Sequence, residues 1–175
     1  LSIRADSTNL GFLQPFIEGI FSEINGRVNG NVRLYGDFKH LDLEGEVRAK
    51  MDAKIDVLNT YFQIRDDSIH ISSGSLDFRN VKVYDREGHD GLVNGYLHHT
   101  KLKNLMYHFN IRGNNLLMYN TYEAGNMPFY GKVYGTGNVV LDGGNNAMTV
   151  DASLTTGSNT SFTYITGVTT EAASN

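Results

Sequence analysis

The chain has 175 residues, which is enough for one domain with its own apolar core. Its formal net charge of −4 argues against a nucleic-acid-binding surface, and the absence of cysteine excludes disulfide bonds and thiol chemistry. Nineteen Gly, ten Tyr and nine Phe against two Pro are typical of a β-rich chain with many tight turns. The sequence has no apolar run of about 18 residues, so it predicts no membrane-spanning helix.

The first predicted element is a helix over residues 9–24, where apolar residues recur at spacings of three and four. Pro15 suits the first helical turn, where its missing N–H costs nothing. We expect the apolar side of this helix to cap a sheet. A helix on a membrane surface is the alternative, but the polar side lacks the Lys and Arg that anionic lipid attracts. The apolar positions are Leu13, Phe16, Ile17, Ile20, Phe21 and Ile24.

Residues 41–57 alternate between apolar and charged side chains, which gives a strand one apolar face and one solvated face. At about 3.3 Å per residue the run would extend roughly 55 Å, which suits a long curved sheet better than a small closed sandwich. A helix is the alternative, because Val47, Met51 and Ile55 also fit a helical stripe. The strand is favoured because the alternation is strict and because residues 28–34 have the same period.

The other predicted strands are separated by glycine or by Asn and Asp turns. Hairpin connections are predicted at 85–91 and 142–146, and a loop or irregular edge segment at 114–129. The chain therefore divides into an N-terminal helical segment (1–25), a curved β-sheet domain (26–166) and a disordered tail (167–175). The full set of predicted strands is 26–35, 41–57, 60–65, 68–72, 75–79, 81–85, 91–99, 104–113, 131–142, 147–155 and 160–166.

Glycines recur at regular positions within these strands. Gly26 and Gly30 are four residues apart, the same spacing returns at Gly91 and Gly95, and a similar run begins at Gly131. A glycine inside a strand is costly unless the sheet bends or another backbone approaches closely. The repeat therefore predicts a sharply coiled sheet, built from one unit that is added several times.

Several short motifs follow one another in a fixed order along the chain. An amphipathic segment precedes the glycine run 26–36, which is followed by Leu43-x-Gly45-x-Val47 and by a long alternating run that ends at 58–62. The later motifs are Leu76-x-Phe78, Val83-Tyr84-Asp85-x-x-Gly88, Gly95-x-Leu97-x-His99 and Tyr130-Gly131-x-Val133-Tyr134-x-x-Gly137. This order resembles a repeat unit of the TamB proteins of Gram-negative bacteria, in the wider AsmA-like group. The resemblance covers roughly residues 5–165.

The resemblance implies a mainly β fold: a long curved antiparallel sheet, forming a half-open groove or β-taco, with one short N-terminal helix. It implies an internal periplasmic fragment of a protein that is anchored in the inner membrane and meets a BamA-like outer-membrane barrel of the TamA type. TamB proteins are implicated in outer-membrane protein assembly and in phospholipid transfer between membranes. The implied ligand is a phospholipid or another acyl chain, and no cofactor is expected.

The apolar side chains of the alternating strands would line such a groove. An aliphatic lining without convergent charges would let an acyl chain slide along it. The opposite interpretation is that these residues form an ordinary core, because the helix and the curvature of the sheet cover the apolar face. A further hypothesis is that an open sheet edge templates an incoming β-strand. The candidate lining residues are Leu43, Val47, Met51, Ile55, Ile69, Ile71, Leu76, Phe78, Val93, Leu97, Phe109, Ile111, Val133, Val139 and Leu141.

Other functions predict other patterns. No nucleophile elbow, phosphate-binding loop or zinc-protease helix is present, so we do not expect an enzyme. His98 and His99 would point to opposite faces of a strand, so we do not expect a metal site either. A structural spacer without ligand remains open. So does a β-sandwich or β-helical carbohydrate-binding or adhesin module, which would carry exposed aromatics along a flat face. The candidate tyrosines are scattered: Tyr35, Tyr61, Tyr84, Tyr96, Tyr119 and Tyr134.

Overall fold

A computed structural model describes residues 2–13, 19–37, 40–100, 103–122, 128–144 and 147–166. Within this part of the chain, no helix has the length and the apolar character needed to cross a membrane. Two 3-10 turns lie at Leu10–Leu13 and Asp56–Leu58. The strands are β1 (Ser2–Asn9), β2 (Phe21–Asp37), β3 (His40–Ile55), β4 (Thr60–Ser72), β5 (Ser75–Tyr84), β6 (Asp90–Thr100), β7 (Lys103–Thr121), β8 (Phe129–Gly144), β9 (Ala147–Thr156) and β10 (Ser161–Tyr164).

The ten strands form one antiparallel sheet. Consecutive strands pair with one another from β1 to β8, so the sheet is an up-and-down meander. β8 then pairs with β9 along residues 135–144 and with β10 along residues 129–132. β1 lies at one edge and β9 and β10 at the other, so the described sheet does not close. The predicted mainly β, open antiparallel sheet is confirmed.

The predicted N-terminal helix is wrong. β1 ends at Asn9, a 3-10 turn follows, and β2 begins at Phe21, while residues 14–18 lie outside the described part of the chain. The helix-like spacing arose because the connection between two strands places Leu10 and Ile20 in the core, next to the alternating residues of β2. β2 pairs with β3, which lies further along the chain, so no local pattern could reveal this partner. The described strands within 1–25 therefore belong to the main sheet.

Most other predicted strands are confirmed, with longer bounds. β3 matches the alternating strand predicted at 41–57 and ends where the second 3-10 turn begins. β4 and β5 each join two predicted strands, because the register shifts there without a break in the strand. The loop predicted at 114–129 is wrong as far as Thr121, since β7 continues to that residue. Residues 123–127 and the predicted tail 167–175 lie outside the described residues.

Bulges with left-handed backbone recur along the sheet. Asn80 in β5 has φ of 52°, and its amide donates to Asn94 Oδ1 on the facing strand at 2.8 Å. Ser7 in β1 has φ of 50°, and its amide donates to Asn29 Oδ1 at 2.7 Å. β7 has a similar bulge at Asn115, whose backbone amide also donates to a side chain of the facing strand. Each bulge increases the local twist of the strands.

The ladder between β4 and β5 is interrupted. These strands pair at Gln63 with Tyr84 and again within residues 70–77, next to the hairpin turn. Between these points the Asp67 carboxylate accepts the backbone N–H of Lys82 at 2.8 Å. Ladder bonds resist folding of a sheet across its strands, so their absence makes this seam a natural crease. The crease divides the sheet into a first leaf, β1–β4, and a second leaf, β5–β10.

The two leaves fold towards each other, and the core lies between them. The ring of Phe21 in β2 lies 6.3 Å from the ring of Phe109 in β7, in an edge-to-face arrangement. These strands are far apart in the sheet order, so only the fold of the sheet brings them together. We call the face that carries the buried side chains the inner face, and the opposite, mostly polar face the outer face.

Gly95→Ala should lower the free energy of unfolding by about 3 kcal/mol, since backbone strain of this kind alone costs about 1–3 kcal/mol. A Cβ at Gly95 would lie 2.0 Å from the carbonyl oxygen of His108, and Gly95 has φ of +147°. Urea denaturation checks this. The matched control is Gly88→Ala, where φ is +94° but no atom lies within 4 Å of the added Cβ. Equal losses in the two variants would show that the close approach of β6 to β7 does not matter.

Candidate functional site: the apolar inner face

A row of inner-face residues crosses the sheet from β2 to β9. Each member is the ladder partner of the next, so the row is continuous through both leaves. No member of the row is charged, and two of them are glycines. The row consists of Val32, Gly45, Ile71, Leu76, Leu97, Tyr107, Gly143 and Met148.

The predicted lining residues differ in how far they are covered. Most of them are buried among other apolar side chains: Val47, Ile55, Ile69, Val93, Leu97, Phe109, Ile111, Val139 and Leu141. Others are half-buried: Met51, Ile71, Leu76, Phe78 and Val133. Only Leu43 is exposed, at 43% of its surface. The chain itself therefore covers the centre of the inner face, and the uncovered apolar surface lies elsewhere.

Phe109 occupies the centre of the inner face. Phe78 meets it edge-to-face with 5.3 Å between ring centroids, and Tyr107 stacks on it at 6.0 Å. Phe21 approaches from the other leaf. Such edge-to-face contacts are the favourable geometry for packed rings. Aromatic side chains of the two leaves therefore meet at this position. A ligand-lined groove would need open space here, whereas an ordinary core would not.

Uncovered apolar surface is found where β2 and β3 approach their connection and along the edge strand β9. Leu43 in β3 is exposed, and Val32 in β2 is half-buried. On the second leaf, Val150 in β9 is 41% exposed and Met148 is half-buried. Sequence reasoning did not select the β9 residues, although their alternation with Thr149 and Asp151 was a usable signal. These margins are where a ligand could reach the inner face.

The two leaves are in contact at one end of the fold. The β3–β4 and β5–β6 turns lie at this end, because the sheet is a meander. Leu10, Leu58 and Leu116 are buried there. Asn59, in the β3–β4 turn, donates from Nδ2 to the carbonyl of Asn120 in β7, and so joins the two leaves.

A buried carboxylate fastens the β5–β6 turn to β7. Asp85 is 1% exposed, and its Oδ1 accepts the backbone N–H groups of Glu87 at 2.8 Å and His89 at 2.9 Å. Its Oδ2 accepts the Leu117 N–H at 2.9 Å and lies 2.8 Å from His89 Nδ1. Burial opposes the charged form, but the hydrogen bonds from Leu117 and His89 outweigh it and hold the pKa of Asp85 below its usual value. The residue was part of a sequence motif, but its role depends on the part of β7 beyond residue 113, which the sequence analysis predicted to be a loop or irregular edge segment.

The same turn also contacts β8. The hydroxyl of Tyr134 donates to both carboxylate oxygens of Glu87, at 2.8 and 2.9 Å. Burial and this bond to Glu87 raise the pKa of Tyr134 to about 12, so the phenol stays protonated at neutral pH. The turn between β5 and β6 is thus fixed on both neighbouring strands.

Aromatic side chains of the outer face are covered by other residues. Tyr96 stacks on His98 with 4.1 Å between centroids, and His108 stacks less closely at 5.9 Å. The guanidinium of Arg65 lies 3.7 Å from the centre of the Tyr84 ring. A sugar-binding platform needs an open ring face, and these contacts occupy the ring faces of Tyr84 and Tyr96.

The histidines do not assemble into a ligand set in the described residues. His98 lies on the outer face beside Tyr96, while the neighbouring His99 is half-buried, and burial lowers its pKa. His108 Nδ1 lies 2.6 Å from Asp142 Oδ1, a pair that is partly exposed. No group of three or more His, Asp or Glu in the described part of the chain is placed to hold a metal ion.

No protein-family model, no curated protein and no solved structure matches this chain.

Proposed function

We propose that this chain is a periplasmic segment of a TamB-like protein, whose apolar inner face supports phospholipid transfer between the inner and outer membranes or outer-membrane protein assembly. The observation that carries the proposal is an unclosed antiparallel sheet whose apolar inner face continues to uncovered margins. The parent protein would be anchored in the inner membrane and meet a BamA-like barrel of the TamA type. The charged outer face keeps such a sheet soluble in an aqueous compartment.

An acyl chain would bind at the margins rather than at the centre. The inner face around Phe109 is filled, whereas Leu43, Val32 and Val150 are wholly or partly uncovered. Each CH₂ group removed from water contributes about 0.8 kcal/mol, so even half of a lipid tail laid along these residues would gain several kcal/mol before ordering costs. Without convergent charges no position would hold the chain strongly, and the chain could slide.

Native mass spectrometry of the protein purified from membrane-containing lysate tests the proposal. We expect bound phospholipid or fatty acid on the wild-type protein, and loss of most of it in Leu43→Asp. The matched control is Leu92→Asp, because Leu92 is similarly exposed at 37% but lies on the outer face of β6. Ligand-free wild-type protein, or equal lipid loss in both variants, would count against a lipid-binding inner face.

The carbohydrate-binding alternative has less support. It requires open aromatic faces along a flat surface, and the ring faces of Tyr84 and Tyr96 are covered by Arg65 and His98. A guanidinium also lies over Tyr61, where Arg86 is 3.2 Å from the ring centroid. Each of these three rings therefore contacts another side chain, while Tyr35 and Tyr96 are each 37% exposed.

A further inference from the structure

A polar depression lies on the outer face of the second leaf, away from the apolar surface discussed above. Its volume is about 270 Å³, close to the lower end of the range for small-molecule sites. β6 contributes Leu92 and Asn94, and their ladder partners Arg112 and Asn110 in β7 complete a block of four side chains. Asn80 in β5 closes one side. Because all three strands lie inside the sheet, the depression does not involve either sheet edge.

The bulge in β5 places Asn80 at this depression. Asn80 has φ of 52°, and its backbone N–H donates to Asn94 Oδ1 at 2.8 Å. Asn94 Nδ2 donates in return to Asn80 Oδ1 at 3.0 Å. This reciprocal pair fixes the orientation of both amides and engages their oxygens, so their remaining N–H groups are left for a ligand. Bulges commonly re-aim side chains beside functional sites in this way.

The depression therefore offers mainly hydrogen-bond donors. No hydrogen bond within the described residues uses the side chain of Asn110 or of Arg112. The neighbouring cation Lys82 is paired with Asp90 at 3.3 Å, whereas Arg112 has no ion pair in the described part of the chain. No lining residue is acidic. The depression thus carries a positive charge that the structure does not neutralise.

We propose that this depression binds the phosphate group of a small phosphate ester. An anion is the complementary ligand, because the unused groups are N–H donors and the single formal charge is positive. A phosphate suits the site better than a carboxylate. It presents at least three oxygens to donors that approach from three strands, and the planar guanidinium of Arg112 can bind two of these oxygens at once. Leu92, which is 37% exposed, provides an apolar contact for the carbon atoms of the ester.

Binding of glycerol 3-phosphate tests the site directly. In ¹H–¹⁵N spectra of the full chain at neutral pH and constant ionic strength, the side-chain N–H signals of Arg112 and the three asparagines should shift saturably, with a dissociation constant of about 1 mM. Glycerol lacks the phosphate and should leave these signals unchanged, and acetate should bind about tenfold more weakly. Glycerol that shifts the same signals, or acetate that binds as tightly, would overturn the assignment of a phosphate site.

Two substitutions test which residues hold the anion. Asn110→Asp breaks no hydrogen bond of the described residues and places a carboxylate beside Arg112, so it should weaken glycerol 3-phosphate binding by about tenfold or more. The matched control is Asn31→Asp, which adds the same charge to the outer face of the first leaf and should leave the affinity unchanged. Arg112→Gln should also weaken binding, whereas Arg27→Gln in the first leaf should not. Equal losses in Asn110→Asp and Asn31→Asp would reduce the effect to net charge and refute the site.

The head group of a phospholipid and a soluble ester share this phosphate chemistry, and vesicles of phosphatidylglycerol distinguish them. If sedimented vesicles retain the wild-type protein but not Asn110→Asp, and glycerol 3-phosphate releases it, the ligand is a lipid head group. Binding of glycerol 3-phosphate without retention on vesicles identifies a soluble ester, and binding of neither overturns the proposal. Leu43→Asp, which tests the inner face, should change none of these results, so the two proposals can fail separately.

Discussion

Asp85→Asn should lower the free energy of unfolding by about 3 kcal/mol, the loss typical of a broken buried charge network. The amide has the shape of the carboxylate but only one oxygen. Each carboxylate oxygen of Asp85 makes two contacts. In the amide, two of these contacting groups would face an NH₂ group instead of an oxygen, and the Leu117 N–H could be one of them. Urea denaturation at neutral pH measures the loss. The matched control is Asp90→Asn, because Asp90 forms an exposed ion pair with Lys82 that should contribute less than about 1 kcal/mol.

The same carboxylate should make stability depend on acid pH. Its pKa is lower in the folded protein than the usual value of about 4 in an unfolded chain. The contribution of Asp85 is therefore fully present above about pH 4, and it is lost as the pH falls through the folded-state pKa. Unfolding measured between about pH 7 and pH 3 should show a smaller acid dependence in Asp85→Asn than in the wild type. An unchanged acid dependence would show that folding does not lower the pKa of Asp85.

Leu141→Ala should cost about 3–4 kcal/mol, as a cavity in a packed core does. Leu141 is 1% exposed, and its ladder partner in β7 is Phe109, the aromatic centre of the inner face. Thermal or urea unfolding measures the loss. Leu92→Ala is the control, since this exposed leucine on the outer face should change stability by only about 0.5 kcal/mol.

The pair of leucine variants also distinguishes a core from a ligand-lined groove. If Leu141→Ala were as mild as Leu92→Ala, the leaves would separate easily, and the centre of the inner face could admit lipid. A large loss of stability would show that this centre is tightly packed. A ligand could then reach the inner face only at the margins, where Leu43 and Val150 are uncovered. The lipid experiment with Leu43→Asp is independent of this result, because Leu43 is not part of the packed centre.

The alternation at 41–57 was enough to predict β3 and its apolar face, because side-chain direction along a strand follows from local backbone geometry. The coiled sheet that the glycine repeat predicted stays a prediction. The helix at 9–24 failed for the opposite reason. The apolar residues do recur at helical spacing, but β2 pairs with β3. The pairing partner of a strand cannot be read from the strand's own sequence, so the spacing alone resembled that of a helix.

Whether the inner face meets protein or ligand was a question that no pattern along the chain could answer. Val47 and Leu43 belong to the same alternation, yet one is buried and the other exposed. Val47 lies between paired residues of β2 and β4, whereas Leu43 lies beyond the last residue of β3 that pairs with β4. Local sequence was therefore sufficient for the strands and their apolar side, since both depend on neighbouring residues. Only the tertiary fold decided which of those apolar residues are covered, because burial depends on contacts between strands that are distant in the chain.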